Sequence, residues 1–299
     1  MEFFPDLHHV RLRSRVHGTY LHADESGVGV SLRPRGARAS LNAAWLVRRI
    51  LRDGTTCFLL QSAAYGRYLV ATPWEAPPGH RGFLVDVHDH DEAEADPFVW
   101  KAVGAAAGND VLVRHISNRL LRANGRYRFW HTGVTVDDHA NRSTMMHWIV
   151  EAIPRRAEPL PLPGPIHDEH NIGAFGRLLR FRRAVAPLNQ RTIRYLIELE
   201  KPAIADRARK TCNNFNENSW DEFEFQGWSF FNLRIEVAQR IDEVAFFFAM
   251  VMCVRAGIHG GLIPLTVDLP RSTEPMEIVI VTIGTQTAEE LLHPDIHAP

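Results

Sequence analysis

Hydrophobic and polar positions alternate in the same way three times in the first half of the chain. Each copy has an alternating segment, a short polar turn, and a second strand that opens within a similar hexapeptide. This pattern predicts a β-hairpin, with Gly at the turn in two of the three copies. The hexapeptides are GTYLHA (18–23), GRYLVA (66–71) and NRLLRA (118–123).

Each hairpin is followed by two further apolar segments at similar spacing. A short alternating segment comes first, and after a polar loop comes a segment that opens on Trp45, Trp100 or Trp148. Four strands in each of three units predict a closed β-trefoil over residues 1–153, because three blades are too few to close a propeller. One unit cannot bury its apolar face alone, so we expect the three tryptophans in a shared core.

The repeat carries a family resemblance. The GxYLxA hairpin at this period resembles the fascin-like, actin-cross-linking β-trefoil. The opening MEFFPD, the segment ASLNAAW (39–45) and the block VRAGIHGGLIPLTVDLPRSTEPMEIVIVTIGT (254–285) are similar to the plant DUF569 family. The resemblance implies one or two trefoils in a chain and no established molecular activity. The QxW triplet of ricin-type lectins is missing, since Ala43, Phe98 and Met146 stand two positions before the tryptophans, and this argues against a lectin.

The second half of the chain begins with a linker. Five prolines in residues 154–168 predict a semi-rigid, polyproline-II-like segment, and the linker is expected to run from 154 to 190. Residues 175–185 have the spacing of a short basic amphipathic helix that could bind a partner or a membrane. An ordered extension of the linker, docked on a domain, is the simpler interpretation.

Residues 191–299 predict an α+β domain. The pattern has the order ββαβββ, with a helix over 228–241 between two early and three late strands. We expect a ubiquitin-like β-grasp fold, although the same order fits other α+β layouts. The glycine-rich GIHGG (257–261) lies between two predicted strands and is interpreted as a hairpin turn. The fold class is therefore all-β followed by α+β.

Charge and composition narrow the classes of partner. The chain has 34 Lys and Arg against 35 Asp and Glu, so no overall field directs it to nucleic acid or an anionic membrane, and neither partner is expected. Cys57, Cys212 and Cys253 are far apart without CxxC spacing, which indicates free thiols in a reducing compartment. The chain opens without a signal-like segment, and its longest apolar run (244–254) is too short to span a bilayer. We expect a cytoplasmic protein, with the nucleus as the alternative.

The sequence offers little chemistry. It has no nucleophile elbow, phosphate-binding loop or zinc-protease motif, so neither an enzyme nor a cofactor is expected, and a site between the domains is the remaining enzymatic alternative. The metal candidates are His88 and His90 within DVHDHDEAEAD (86–96). Two positions apart on an extended segment, they would point the same way, but a solvated acidic loop is the favoured interpretation.

One basic face is the candidate binding site. Its arginines alternate with apolar residues in the first repeat, so we expect them on the outer face of the barrel or in the nearby loop, where they would meet phosphate or an acidic protein surface. Arginines that only keep a strand soluble are the simpler alternative. The candidates are Arg11, Arg13, Arg15, Arg33 and Arg35.

Together these features predict a non-enzymatic binding or scaffolding protein with a protein partner. The alternative is a single-site actin-binding or glycan-binding β-trefoil module, in which actin is favoured over a glycan. Function in a trefoil depends on the loops around its rim rather than on the barrel.

Overall fold

The computed structural model describes residues 3–92, 96–104, 110–124, 133–165, 190–198, 219–241 and 249–298. Within these residues the first half of the chain forms a twelve-stranded sheet and the second half forms a five-stranded sheet. The predicted amphipathic segment at 175–185 lies outside the described residues. None of the helices in the described part of the chain has the length and apolar character needed to cross a bilayer.

Twelve strands form three units of four. A short 3-10 turn precedes the tryptophan strand of each unit, at Leu41–Ala43, Asp96–Phe98 and Thr144–Met146. The strands are β1 His9–Ser14, β2 Tyr20–Ala23, β3 Val30–Arg33, β4 Trp45–Arg52, β5 Thr55–Ser62, β6 Tyr68–Glu75, β7 Phe83–His88, β8 Trp100–Gly104, β9 Val111–His115, β10 Arg119–Ala123, β11 Val134–Asp138 and β12 His147–Ile153.

The three tryptophans occupy equivalent positions in one core. Each is fully buried, and each indole Nε1 donates to the carbonyl of a leucine in the hexapeptide of its own unit. The N···O distances are 3.2 Å for Trp45 to Leu21, 3.0 Å for Trp100 to Leu69 and 3.0 Å for Trp148 to Leu121. β1 pairs with β12 from His9↔Ile153 to Ser14↔Trp148, which joins the first strand to the last and removes two open edges. The predicted trefoil is confirmed.

The second sheet has the order β14-β13-β17-β15-β16, with β13 and β17 parallel and the other pairs antiparallel. Helix α1 packs on one face of it, where Leu233 and Val237 join Ile193 and Ile278 in the core. This order confirms the β-grasp prediction. The elements are β13 Gln190–Ile197, β14 Asp221–Gln226, α1 Phe230–Ile241, β15 Met250–Arg255, β16 Leu262–Pro264, β17 Met276–Thr282 and α2 Gln286–Glu290.

Local interactions set where the helix begins. The Oγ of Ser229 accepts from Asn232 N at 3.3 Å, and Oδ1 of Asp268 accepts from Phe230 N at 3.0 Å, so two of the free N–H groups at the helix start are satisfied. Strand β15 occupies the last part of the apolar run 244–254, and residues 242–248 lie outside the described part.

Candidate functional site

The arginines of the predicted basic face do not form one exposed patch. The prediction that Arg11 is exposed is wrong. Arg11 is fully buried, because residues 293–298 of the second domain cover it. Its Nη2 donates to Ile296 O at 2.6 Å and its Nε donates to Arg38 O at 2.9 Å. Burial lowers the pKa of this guanidinium, and the two carbonyls accept its hydrogen bonds in place of water. Arg11 therefore holds the second domain.

The remaining arginines are dispersed around the trefoil. Most of them are half-buried or exposed and already pair with a carboxylate of the same domain, so the surface has less free positive charge than its sequence indicates. The N···O distances are 2.7 Å for Arg13 to Glu151, 2.7 Å for Arg15 to Asp110 and 3.6 Å for Arg33 to Asp24, and Arg35 is exposed at the start of a 3-10 turn.

The two histidines of the metal candidate have different surroundings. His88 ends β7 and is exposed, whereas His90 is buried at the junction of the domains. The His90 ring packs at 5.1 Å from Tyr68, 5.0 Å from Phe98 and 5.7 Å from His259, and burial lowers its pKa. The described residues contain no group of three or more His, Cys, Asp or Glu side chains arranged to hold a metal ion.

The junction of the two domains is where polar side chains converge. The β15–β16 loop, residues 256–261, enters a recess in the second unit of the trefoil, and we name it the plug. Main-chain atoms of His90 pair with it twice: His90 N donates to Ala256 O at 2.8 Å, and His259 N donates to His90 O at 2.9 Å. Asp91 Oδ1 accepts from Ile258 N at 3.2 Å. The trefoil thus binds this loop largely through its backbone.

Two trefoil side chains grip the last residue of the plug. Tyr68 Oη accepts from Gly261 N at 2.9 Å, and Gln61 Nε2 donates to Gly261 O at 2.8 Å. The same amide of Gln61 donates to Gly66 O, and its Oε1 accepts from Arg48 Nε at 2.6 Å. We name Gln61, Tyr68 and Arg48 the clamp. Because Gln61 is fully buried with its hydrogen bonds satisfied, the clamp fixes both main-chain polar groups of one residue, Gly261.

The glycines of the plug permit this close approach. At Gly257, whose φ is +86°, an added Cβ would lie 2.5 Å from the main chain of His90. At Gly261, an added Cβ would overlap the guanidinium of Arg48, which Gln61 holds in place. GIHGG is a hairpin turn, as its position between strands predicts, but Gly257 and Gly261 are also required by contact with the other domain.

A second contact lies beside the plug, along residues 270–274. Arg271 N donates to Glu25 O at 2.7 Å and Ser272 N donates to Ser26 O at 3.2 Å. Arg67 is buried and bridges the domains: it pairs with Glu274, and its Nε lies 3.1 Å from Asp89 Oδ1. This network neutralises a buried guanidinium from both sides of the junction.

The third contact is made by residues 293–298, which we name the tail. Arg38 Nη1 donates to Ala298 O at 2.7 Å beside the contact of Arg11 with Ile296. Asp295 N donates to Pro154 O at 2.8 Å, so the tail also pairs with the chain that leaves the trefoil. An apolar cluster closes the junction here, formed by Leu41, Ala44, Ala63, Ala64, Tyr65, Ile153, Leu160 and Ile296.

Sequence reasoning did not identify the clamp. The clamp residues lie in β4, β5 and β6, whose sequences have the pattern of ordinary strands of the repeat. Gly261, which Gln61 and Tyr68 bind, is about 200 residues away in sequence. One available signal was the density of glycine in GIHGG, which exceeds what a two-strand turn needs. The other was the difference between units at one position, where the first has Arg13, the second Gln61 and the third Arg114.

Two family models match the chain. Residues 1–151 match the model described as "Beta-trefoil domain of unknown function (DUF569)". Residues 189–281 match the model described as "DUF569 associated ubiquitin-like domain". A comparison with curated protein sequences gives no match.

Several solved structures are similar to about half of the chain. A Caenorhabditis elegans protein with unknown function is 18% identical, covers 50% of this chain and 96% of its own, and has a TM-score of 0.41. The SDF2-like protein from Arabidopsis thaliana is 17% identical, with 49% and 93% covered and a TM-score of 0.41. The Macrolepiota procera ricin B-like lectin in complex with lactose is 18% identical, with 49% and 96% covered and a TM-score of 0.39.

Proposed function

The chain belongs to the DUF569 family, and from this premise we propose that it is a non-enzymatic scaffold in which the trefoil holds the ubiquitin-like domain in a fixed orientation for a protein partner. The observation that carries the proposal is the clamp. Gln61 and Tyr68 bind the C=O and the N–H of Gly261, and these two hydrogen bonds hold the second domain in one position on the trefoil.

The chemistry of the junction supports binding rather than catalysis. Several polar side chains that converge there bind main-chain groups of the opposite domain: Arg11 and Arg38 donate to carbonyls of the tail, and Gln61 and Tyr68 bind Gly261. Three separate contacts, at the plug, at residues 270–274 and at the tail, constrain both translation and rotation. A rigid pair of domains presents a composite surface without the entropic cost of ordering a flexible linker.

The test compares wild type with a variant in which the domains are uncoupled. Gly257→Ala is suited to this, because the added Cβ meets the main chain of His90. Gly284→Ala is the matched control: its φ of +87° carries the same backbone strain, but nothing lies within 4 Å of the added Cβ. Small-angle scattering should show one particle for wild type and the control, and a wider spread of domain orientations for Gly257→Ala.

The binding role is tested with the same three proteins as baits in plant extract. We expect partners that wild type and Gly284→Ala retain in equal amounts and that Gly257→Ala loses or retains poorly. Equal retention by all three would refute a role for the fixed orientation. No partner above the empty-bait control would refute the scaffold itself. The plant origin and cytoplasmic location remain predictions.

Binding of actin at a single site is the alternative from the sequence. Ion pairs within the trefoil weaken it, because Arg13 and Arg15 already contact Glu151 and Asp110. The test is co-sedimentation with actin filaments at high spin speed, with Arg33→Gln plus Arg35→Gln as the variant. Binding that falls with salt and is lost in the variant would favour actin. We expect no bundles at low spin speed, since bundling requires two filament-binding faces.

A further inference from the structure

The segment that leaves the trefoil has a backbone dictated by its sequence. Every residue from Glu158 to Pro165 is either a proline or the residue before one. Proline fixes φ near −65°, and the residue before a proline is disfavoured in the helical region, so the whole segment is driven to the extended polyproline-II conformation. In agreement, residues 159–165 have no helix, strand or turn.

The exposure of this segment follows the threefold period of polyproline II. Leu160 is buried and Pro163 is half-buried, three residues apart on one ridge. The other two ridges are exposed: Pro161 lies on one, and Pro159 and Leu162 lie on the other, at the edge of a cavity that they line with Phe230 and Met252. Leu162 is 41% exposed. One ridge is thus docked on the protein and two are presented.

The docked ridge is anchored at the junction of the domains. Leu160 packs in the apolar cluster with Leu41, Tyr65, Ile153 and Ile296. Upstream, Arg156 N donates to His293 O at 2.8 Å, which fixes the start of the segment against the tail. The outward prolines are therefore ordered before any partner arrives, and a partner would not have to order a free chain.

We propose that residues 158–165 are a binding site for a protein domain with an aromatic-lined groove that recognises proline-rich segments. Such grooves take the exposed ridges of a preformed polyproline-II helix, and these are the ridges left free here. A strut that only joined the two domains would need the buried ridge alone, whereas this segment also presents Leu162 and two prolines to solvent. Arg156 precedes it, so the groove should carry a carboxylate at that end.

The proposal deepens the scaffold role, because it names the class of protein partner. The two can fail separately. Uncoupling the domains with Gly257→Ala tests the fixed orientation and leaves the proline segment in the chain. Substitution of the outward residues tests the binding site and leaves the clamp intact.

The experiment titrates the full chain with three purified probes, an SH3 domain, a WW domain and an EVH1 domain, each to about 1 mM, the weakest affinity of interest. We expect at least one of them to bind by calorimetry. The triple variant Pro159→Ala, Pro161→Ala and Leu162→Ala should weaken that binding by about tenfold or more. Pro77→Ala plus Pro78→Ala, at an exposed proline pair in a trefoil loop, is the matched control and should bind as wild type.

Unchanged melting temperatures will show that the substituted residues, all exposed, do not support the fold. Failure of all three probes to bind wild type would overturn the proposal and leave the scaffold role standing. Equal binding by wild type and the triple variant would also overturn it, because the probe would then bind elsewhere.

Discussion

The first and second units of the trefoil use equivalent positions for different purposes. The strand registers pair Trp148 with Ser14 and Trp45 with Ser62, so Ser14 and Ser62 are equivalent. It follows that Arg13 corresponds to Gln61, Tyr20 to Tyr68 and Glu151 to Arg48. In the first unit Tyr20 Oη donates to Glu151, and Arg13 and Arg38 pair with the same carboxylate. In the second unit the tyrosine and the glutamine hold Gly261 of the other domain.

The difference shows what a repeat does and does not fix. Both units keep the tryptophan, which all three units bury in the common core, and both have a tyrosine where the third unit has Leu120. Two positions differ: Gln61 is a neutral amide where the first unit has Arg13, and Arg48 stands where the first unit pairs with Glu151. The amide can donate to a main-chain carbonyl and accept from Arg48 at the same time. The junction therefore depends on different side chains at equivalent positions of the same backbone fold.

The largest expected effect concerns what the units share. Trp100→Ala should lower the free energy of unfolding by about 3–5 kcal/mol, because it opens a cavity in the common core. Chemical denaturation monitored by circular dichroism measures the change. Trp74→Ala, at a tryptophan that is 68% exposed, is the control and should change stability little. Similar losses for both variants would contradict the role of Trp100 in the common core.

The next effect concerns the plug. Gly257→Ala should cost up to about 3 kcal/mol more than Gly284→Ala, because both pay the backbone strain and only the first overlaps the main chain of His90. Hydrogen exchange at residues 61–68 and 254–261 should rise in the first variant alone. Protection that is unchanged there would mean that the plug is not what couples the domains.

The third-largest expected effect is a loss of stability at acidic pH, caused by a buried histidine at the junction. Burial, with His293 and Arg48 nearby and His8 and Arg155 as further neighbours, lowers the pKa of His9 to about 3. The unfolded chain takes up this proton near pH 6.5, so the stability from neutral His9 is complete above that pH and is lost as the pH falls towards 3. We expect a loss of roughly 2 kcal/mol between pH 7 and pH 5 from this group.

Denaturation at a series of pH values measures this loss. His9→Gln should make the profile less steep without abolishing it, because burial also lowers the pKa of His22, to about 4. His88→Gln, at an exposed position, is the control. An equally steep profile in His9→Gln would assign the acid sensitivity to other groups.

The smallest effect separates the two tyrosines. Tyr68→Phe should destabilise by about 1–2 kcal/mol, because Gly261 N loses its acceptor in a buried site. Tyr20→Phe should cost less than about 1 kcal/mol, since Glu151 keeps Arg13 and Arg38 as partners. Equal losses from the two substitutions would show that Tyr68 does not act through the second domain.

The sequence by itself determined the elements and the two folds. Periodicity placed the hairpins and the tryptophan strands, because a strand that is buried on one face must alternate wherever it occurs. The same logic located α1 and gave the ββαβββ order of the second domain. Proline spacing over residues 158–165 also fixed a backbone conformation, since that restriction acts between neighbouring residues.

Only the tertiary structure decided how these parts meet. Arg11 has the alternation of an exposed strand residue and is buried, because a tail almost 300 residues away covers it. Gln61 and Tyr68 bind Gly261 across about 200 residues of sequence. Local patterns report which face of an element is apolar, whereas contacts between domains depend on the shapes of two completed surfaces. The clamp therefore follows from the packing of the two domains and not from any segment alone.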